Sequence, residues 1–328
     1  MRLSPPGANG DIKAAFREHS KNGRLMVSRT LIAITALQVL LLLLLMVFLV
    51  GNGALTGAVA LSACTAFVFL NACGVAAGYV FVRGYAAARC PPRRGASRPS
   101  WRCSAKEVLA LFAVFFVFQP FERWWMGRER VPSVAPGHAP LLLVHGYMCN
   151  RGLWWWMRRE FRKRRLAVAT VNLEPPRAGI DQLAARLDER IEELVQATGR
   201  TRVVLLTHSM GGLISLAYLR KYGAARVAKL VMLAAPMHGT HVARLGIGAN
   251  AREMRPDSAW LRALTLRPVP IPIVSIWTRD DEILAPAETS RIDGAQDIVL
   301  DGLGHMAMVF SPRVLACLED ELALGSYS

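Results

Sequence analysis

From Thr30 to Val82 the chain carries no charged side chain. An uncharged run of that length is the mark of helices that cross a bilayer rather than of a soluble core. Within it, Leu31–Val50 is broken only by Thr35 and Gln38. At about 1.5 Å per residue it reaches across a hydrocarbon core of about 30 Å. Gly51-Asn52-Gly53 predicts a tight turn, and Leu55–Val82 a second span rich in alanine and glycine. Gly74 and Gly78 give that span a small-residue face, suited to packing on the first span or to dimerisation. A cleaved signal peptide is the alternative for the first span. Its long apolar region and long basic lead speak against that.

Arginines stand on both sides of this hairpin, Arg24 and Arg29 before it and Arg83, Arg89, Arg93 and Arg94 after it, while the turn between is uncharged. The positive-inside rule then puts both ends in the cytoplasm. Val108–Phe118 (VLALFAVFFVF) is a further apolar run, but its helix of about 16 Å covers only half the hydrocarbon core. It is expected to be interfacial, re-entrant or packed on the next domain, with Arg123, Trp124 and Trp125 at the boundary. If it spans instead, everything downstream changes sides.

Charge follows the same division. The net charge is +16, and residues 1–138 hold 16 Lys/Arg against 5 Asp/Glu, so most of the excess lies beside the apolar segments. That arrangement suits anionic headgroups, and no zinc-finger spacing or RNA-binding aromatic signature points to nucleic acid. Cys64, Cys73, Cys90, Cys103, Cys149 and Cys317 form no CxxC pair, which reads as free thiols in a reducing compartment. The expected organisation is a basic N-terminus over 1–30 and a hairpin over 31–82. A basic linker over 83–107 and an interfacial or re-entrant segment with a hinge over 108–138 follow. The last unit is a catalytic domain over 139–325.

From about Pro140 the rhythm changes. Short apolar runs at Leu141–Val144, Val168–Leu173, Val203–Leu206, Leu230–Ala234, Ile271–Ile276 and Ile298–Leu300 alternate with helical patterns. One of these sets Ile180, Leu183, Leu187, Ile191 and Leu194 on a single face, with Gly199 as its stop. Such alternation predicts a parallel sheet covered on both faces, with function at the carboxyl ends of the strands.

One of those ends reads VVLLTHSMGGLISLAYL, Val203–Leu219. A strand running into a serine and then a helix exposes the hydroxyl and sets N–H groups of a helix N-terminus beside it. A serine becomes a nucleophile only when a neighbouring base takes its proton. The run THSMGGL resembles the nucleophile elbow of the α/β-hydrolase superfamily, in its bacterial lipase and esterase branch. Thr207 departs from the pattern, standing where G-x-S-x-G has its first glycine. The resemblance covers roughly residues 139–325 and implies a trimmed α/β-hydrolase fold, which the transmembrane helical hairpin read from the apolar runs would precede. The first 138 residues resemble no family.

The resemblance assigns further residues. In LLLVHGYMCN (Leu141–Asn150) it maps one oxyanion donor onto the backbone of Tyr147, with Met210 as the second, while His145 is read as fixing the loop. In WTRDDEILAP (Trp277–Pro286) it maps the acid onto Asp281, with Asp280 as the alternative. In LDGLGHMAMVFSPRV (Leu300–Val314) it offers His305 as the base, completing the order Ser209, Asp281, His305. The segment after Ala235 resembles the family's lid, expected near 238–266. His238 and His241 lack partners at ligand spacing, so no metal and no cofactor is expected.

LWWWMRREFRKRRL (Leu153–Leu166) admits two readings. Tryptophans and arginines seat the catalytic mouth on headgroups, or the tryptophans pack on the sheet and the arginines are solvated. Together these features predict a membrane-anchored serine lipase or carboxylesterase acting on a lipid or acyl ester. It would be integral to the inner or plasma membrane if bacterial, with its catalytic domain in the cytoplasm. A thioesterase or acyltransferase on the same triad is the chemical alternative. An inactive membrane scaffold is the non-enzymatic one, supported only by Thr207.

Overall fold

The computed structural model describes residues 26–52, 57–91, 99–129, 133–135, 138–264 and 269–323. Most of the basic N-terminus, the turn at 53–56, the middle of the basic linker at 92–98 and the end of the expected lid lie outside them. Helix α1 (Met26–Gly51) and helix α2 (Gly57–Arg89) are long and apolar enough to cross a bilayer. Neither is a core helix, because the apolar window of each is unburied and leucines such as Leu37, Leu41 and Leu61 are exposed. The glycine face of α2 is open, with nothing near Gly74 or Gly78. The expected packing of that face on the first helix is therefore not what the structure has. Among the described side chains of α2, Tyr79 and Ala86 toward its carboxyl end are buried, and Tyr79 Oη donates to Ser104 Oγ at 3.0 Å.

Helix α3 (Trp101–Phe112) starts at Ser100, whose side chain accepts the Cys103 N–H. Cys103, Glu107 and Ala110 recur on one face and are buried. A π-helical turn (Ala113–Phe118) and short α4 (Glu122–Met126) follow. Phe118 stacks on Trp155 at 4.7 Å and lies beside Phe310. The apolar run 108–118 thus packs on the sheet domain. The sequence reading drew the domain boundary at 139, whereas Ala110, Val114 and Met126 belong to the same core as the sheet.

Six parallel strands follow: β1 (Leu141–Val144), β2 (Val168–Thr170), β3 (Val203–His208), β4 (Val227–Leu233), β5 (Ile273–Thr278) and β6 (Gln296–Leu300). They lie in the order β2-β1-β3-β4-β5-β6. Successive side chains of a strand point to opposite faces. Accordingly Leu142, Val203 and Leu205 enter one core, closed by α6 (Ile180–Thr198) and α7 (Met210–Tyr222). Leu141, Leu143, Val204 and Leu206 enter the other, closed by α3, α5 (Trp155–Lys163) and α10 (Pro312–Ala323). In the second core Trp154, Met157 and Phe161 are fully buried, and Arg158 donates to the Met126 carbonyl at 2.6 Å. The tryptophan-rich stretch is thereby packed onto the sheet and onto the turn after α3.

The chain leaves β1 for β2 on one side and returns to β3 on the other. The loops after β1 and β3 therefore diverge at a topological switch point, where open parallel sheets form their crevice.

Candidate active site

Ser209 occupies that crevice. It follows β3 directly, with φ 55° and ψ −128°, and α7 starts at the next residue. A positive φ at a non-glycine residue costs on the order of 1–3 kcal/mol and persists only where neighbours enforce it. The Ser209 N–H donates to Leu233 O at 2.8 Å, which holds the turn against β4. A Cβ on Gly211 would come within 2.7 Å of Val144 O, and one on Gly212 within 2.5 Å of Ala235 Cβ. These glycines let α7 run against the sheet. Thr207 is still within β3, in register with Met232, fully buried, and its Oγ1 donates to Val231 O at 3.4 Å. The position carries an ordinary strand side chain, so no glycine is demanded there.

The loop after β1 closes on the serine. A Cβ at Gly146 would lie 2.9 Å from Ser209 Cβ and 3.0 Å from His208 O, so this glycine sets how near the loop can come. His145 accepts the Leu173 N–H on Nε2 at 3.0 Å, and its Nδ1 faces Gly146 O at 3.0 Å. Burial brings its pKa down to about 4, so the ring stays neutral and holds the loop. Tyr147 follows, and its Oη both donates to Ile247 O and accepts the Ile247 N–H, each at 2.8 Å. The segment expected as a lid, from His241–Arg244 through α8 (Ala249–Glu253) to α9 (Ala259–Leu264), is pinned to the loop by this side chain. His238 faces Thr289 O through Nδ1 at 3.3 Å.

Asp281 and His305 come together across the loops after β5 and β6. His305 Nδ1 donates to Asp281 Oδ2 at 2.8 Å, with both side chains buried. The other oxygen of Asp281 accepts the N–H groups of Ile283 and Leu284, both at 2.8 Å. Asp280 points elsewhere, accepting the Gly302 N–H at 2.6 Å. Burial by itself would lower the His305 pKa. The Asp281 carboxylate, through charge and hydrogen bond, outweighs it and carries the imidazole above its usual value.

Residues 139–256 match the family described as alpha/beta hydrolase fold. The sheet domain has the α/β-hydrolase fold. Among solved structures the chain is similar to Aspergillus fumigatus lipase B, with TM-score 0.53 and 16% identity over 58% of this chain and 53% of that one. It is also similar to the mature form of Bacillus licheniformis lipase BlEst2, with TM-score 0.51 and 16% identity over 58% of this chain and 95% of that one. The chain thus spans about half the length of the fungal protein and nearly all of the bacterial one.

Three side chains of the hydrolase domain and its approach were not singled out from sequence. His208 Nε2 meets His305 O at 3.1 Å, with the two rings 4.6 Å apart, so the residue before Ser209 touches the imidazole's own backbone. Burial, and then the nearby His305, hold its pKa well below the ordinary value, so it acts as a neutral donor. The chain also buries Glu282, next to Asp281, and Glu107 of α3. Glu282 adjoins a motif already quoted, whereas Glu107 lies in a basic linker with no local signal.

Proposed function

We propose that the chain is a membrane-anchored serine hydrolase that cleaves acyl esters through Ser209, His305 and Asp281. The observation that carries this reading is the buried 2.8 Å Asp281–His305 pair at the carboxyl end of the sheet, with His305 packed against His208, the residue before a serine held at a strained elbow. The Ser–His hydrogen bond of such sites commonly tightens only in the substrate complex. His305 Nε2 takes the proton from Ser209 Oγ as the oxygen attacks the ester carbonyl. The backbone N–H groups of Tyr147 and Met210 receive the oxyanion, a contribution of about 3–4 kcal/mol per donor. The C–O bond to the leaving alcohol then breaks, and His305 returns the proton to that oxygen. Water repeats the sequence on the acyl-enzyme and releases the acid. Asp281 fixes the imidazole tautomer and stabilises its protonated form.

The anchor reading rests on α1 and α2, whose apolar side chains face outward all round. In water that exposure is costly; in lipid it is the resting state. The amino end of α1 is seated on the hydrolase domain. Met26 N–H donates to Glu174 Oε1 at 2.9 Å, Ser28 Oγ donates to Gln119 O at 2.8 Å, and Asn150 Nδ2 donates to Ser28 Oγ at 2.9 Å. These seats support a retained helix rather than a cleaved leader. Asn150 is close in sequence to Tyr147, so the attachment lies beside the oxyanion loop. Trp101, Leu109, Trp124, Leu245 and Ile247 are further exposed apolar side chains. A mouth held in this way favours a lipid or other acyl ester drawn from the bilayer, and the flanking arginines favour a cytoplasmic catalytic domain.

Ser209→Ala tests the chemistry. Turnover of p-nitrophenyl esters falls by roughly 10⁴-fold or more in a protein that still folds. Activity retained in that variant removes the mechanism.

A further inference from the structure

The hydrolase domain borrows a carboxylate from outside the strands and loops that make its fold. Glu107 of α3 is fully buried. Its Oε1 accepts the Met306 N–H and its Oε2 the Ala307 N–H, both at 2.8 Å, so it grips the two peptide groups directly after His305. A side chain at Gly304 would collide with the same carboxyl, so glycine there admits the grip. On its other side Glu107 faces the carboxyl of Glu282, which is also buried and whose Oε2 accepts the His305 N–H at 3.5 Å. Two carboxylates cannot share a hydrogen bond unless one holds a proton. Glu282 Oε2 takes the His305 N–H, which leaves its buried Oε1 free to carry that proton.

We propose that Glu107 is a positioning residue for His305: its carboxylate, hydrogen-bonded by a protonated Glu282, clamps the 305–307 turn and sets one negative charge behind the imidazole. This rests on the esterase reading above, since it assigns His305 the role of base.

The surroundings agree. Burial, followed by the charges of Glu107 and Asp281, drives the Glu282 pKa well up, so Glu282 is the partner that stays neutral. Burial also raises Glu107, but the hydrogen bonds from Glu282, Met306 and Ala307 oppose it. The titratable groups around Glu107 are Glu282 and Asp281 from the connection after β5, His305 from the loop after β6, and Cys103 on α3 itself. Arg83 of α2 and Asp280 act on that thiol. The charge of Glu107 favours the imidazolium, so removing it makes His305 easier to deprotonate.

The test uses the full chain in lipid nanodiscs, with kcat and KM for a short p-nitrophenyl ester measured across pH. Glu107→Gln puts an amide where two N–H groups need an acceptor and removes the charge. Its kcat falls roughly 10- to 100-fold with KM little changed, and the acid limb of kcat/KM moves to lower pH by about 0.5 or more. Glu282→Gln keeps a hydrogen-bond donor toward Glu107, whereas Glu282→Leu does not. The glutamine variant therefore retains roughly tenfold more activity than the leucine variant. Where Glu107→Gln does not fold by circular dichroism, Glu107→Asp replaces it. That variant withdraws the clamp by one methylene, and kcat falls while KM holds.

A folded Glu107→Gln with wild-type kcat and acid limb overturns the proposal, and so does a loss of kcat with the limb unmoved. Glu282→Gln as impaired as Glu282→Leu overturns the shared proton. A wild-type protein that fails to react with a fluorophosphonate sinks the esterase reading itself. A wild-type protein that reacts, beside an indifferent Glu107→Gln, sinks only this inference.

Discussion

A glycine at position 207 would gain nothing from its freedom, because the backbone there still runs as β3 beside Met232. The sharp conformation falls one step later, on Ser209 itself, and the close contacts fall on Gly146, Gly211 and Gly212. Thr207→Gly therefore removes a buried side chain and its hydrogen bond without easing the turn. It lowers stability by about 1–2 kcal/mol, read as a shift of the unfolding midpoint, and does not raise ester turnover. A more stable or faster variant would mean that the elbow is strained by its threonine. The candidate triad was legible at this scale because each member sits in a short turn with its own local pattern. Asp280 and Asp281 were ambiguous from sequence, since neighbours in a loop point in different directions. Their partners, Gly302 N–H and His305, separate them in the structure. Glu107 could not be read that way, because its partner Met306 lies 199 positions along the chain.

Among the elements, strands and long helices follow the sequence reading closely, since alternation and helical spacing are local signals. The fate of Val108–Phe118 was not local. An apolar run of that length suits a membrane interface or a protein core equally well, and only the second sheet face decides between them. Ala110, Val114 and Phe118 cover that face with Trp154 and Trp155. Helix α3 and its π-helical turn therefore belong to the folding unit of the sheet domain. A chain beginning at residue 139 exposes this core and loses the Glu107 clamp, whereas a chain beginning at residue 99 keeps both. The first is expected to be aggregated and inactive, and the second folded and active on soluble esters, by circular dichroism and p-nitrophenyl ester turnover. A stable, active chain from residue 139 would show that α3 is dispensable.

Across the whole molecule, two apolar helices are joined to the α/β-hydrolase-fold domain and its approach helix by specific polar contacts. Glu174 and Asn150 hold the start of α1, and Ser104 holds the end region of α2. The same approach region that leads out of the apolar hairpin also delivers Glu107 to the proposed base. Attachment and catalysis are on this account one construction. The most direct measurement is to wash membranes containing the full chain with alkaline carbonate, treat them with a fluorophosphonate, and map the adduct by peptide mass spectrometry. The account predicts a single adduct on Ser209, recovered in the washed membrane pellet. An adduct on another residue, no adduct on folded protein, or labelled protein released into the wash would contradict it.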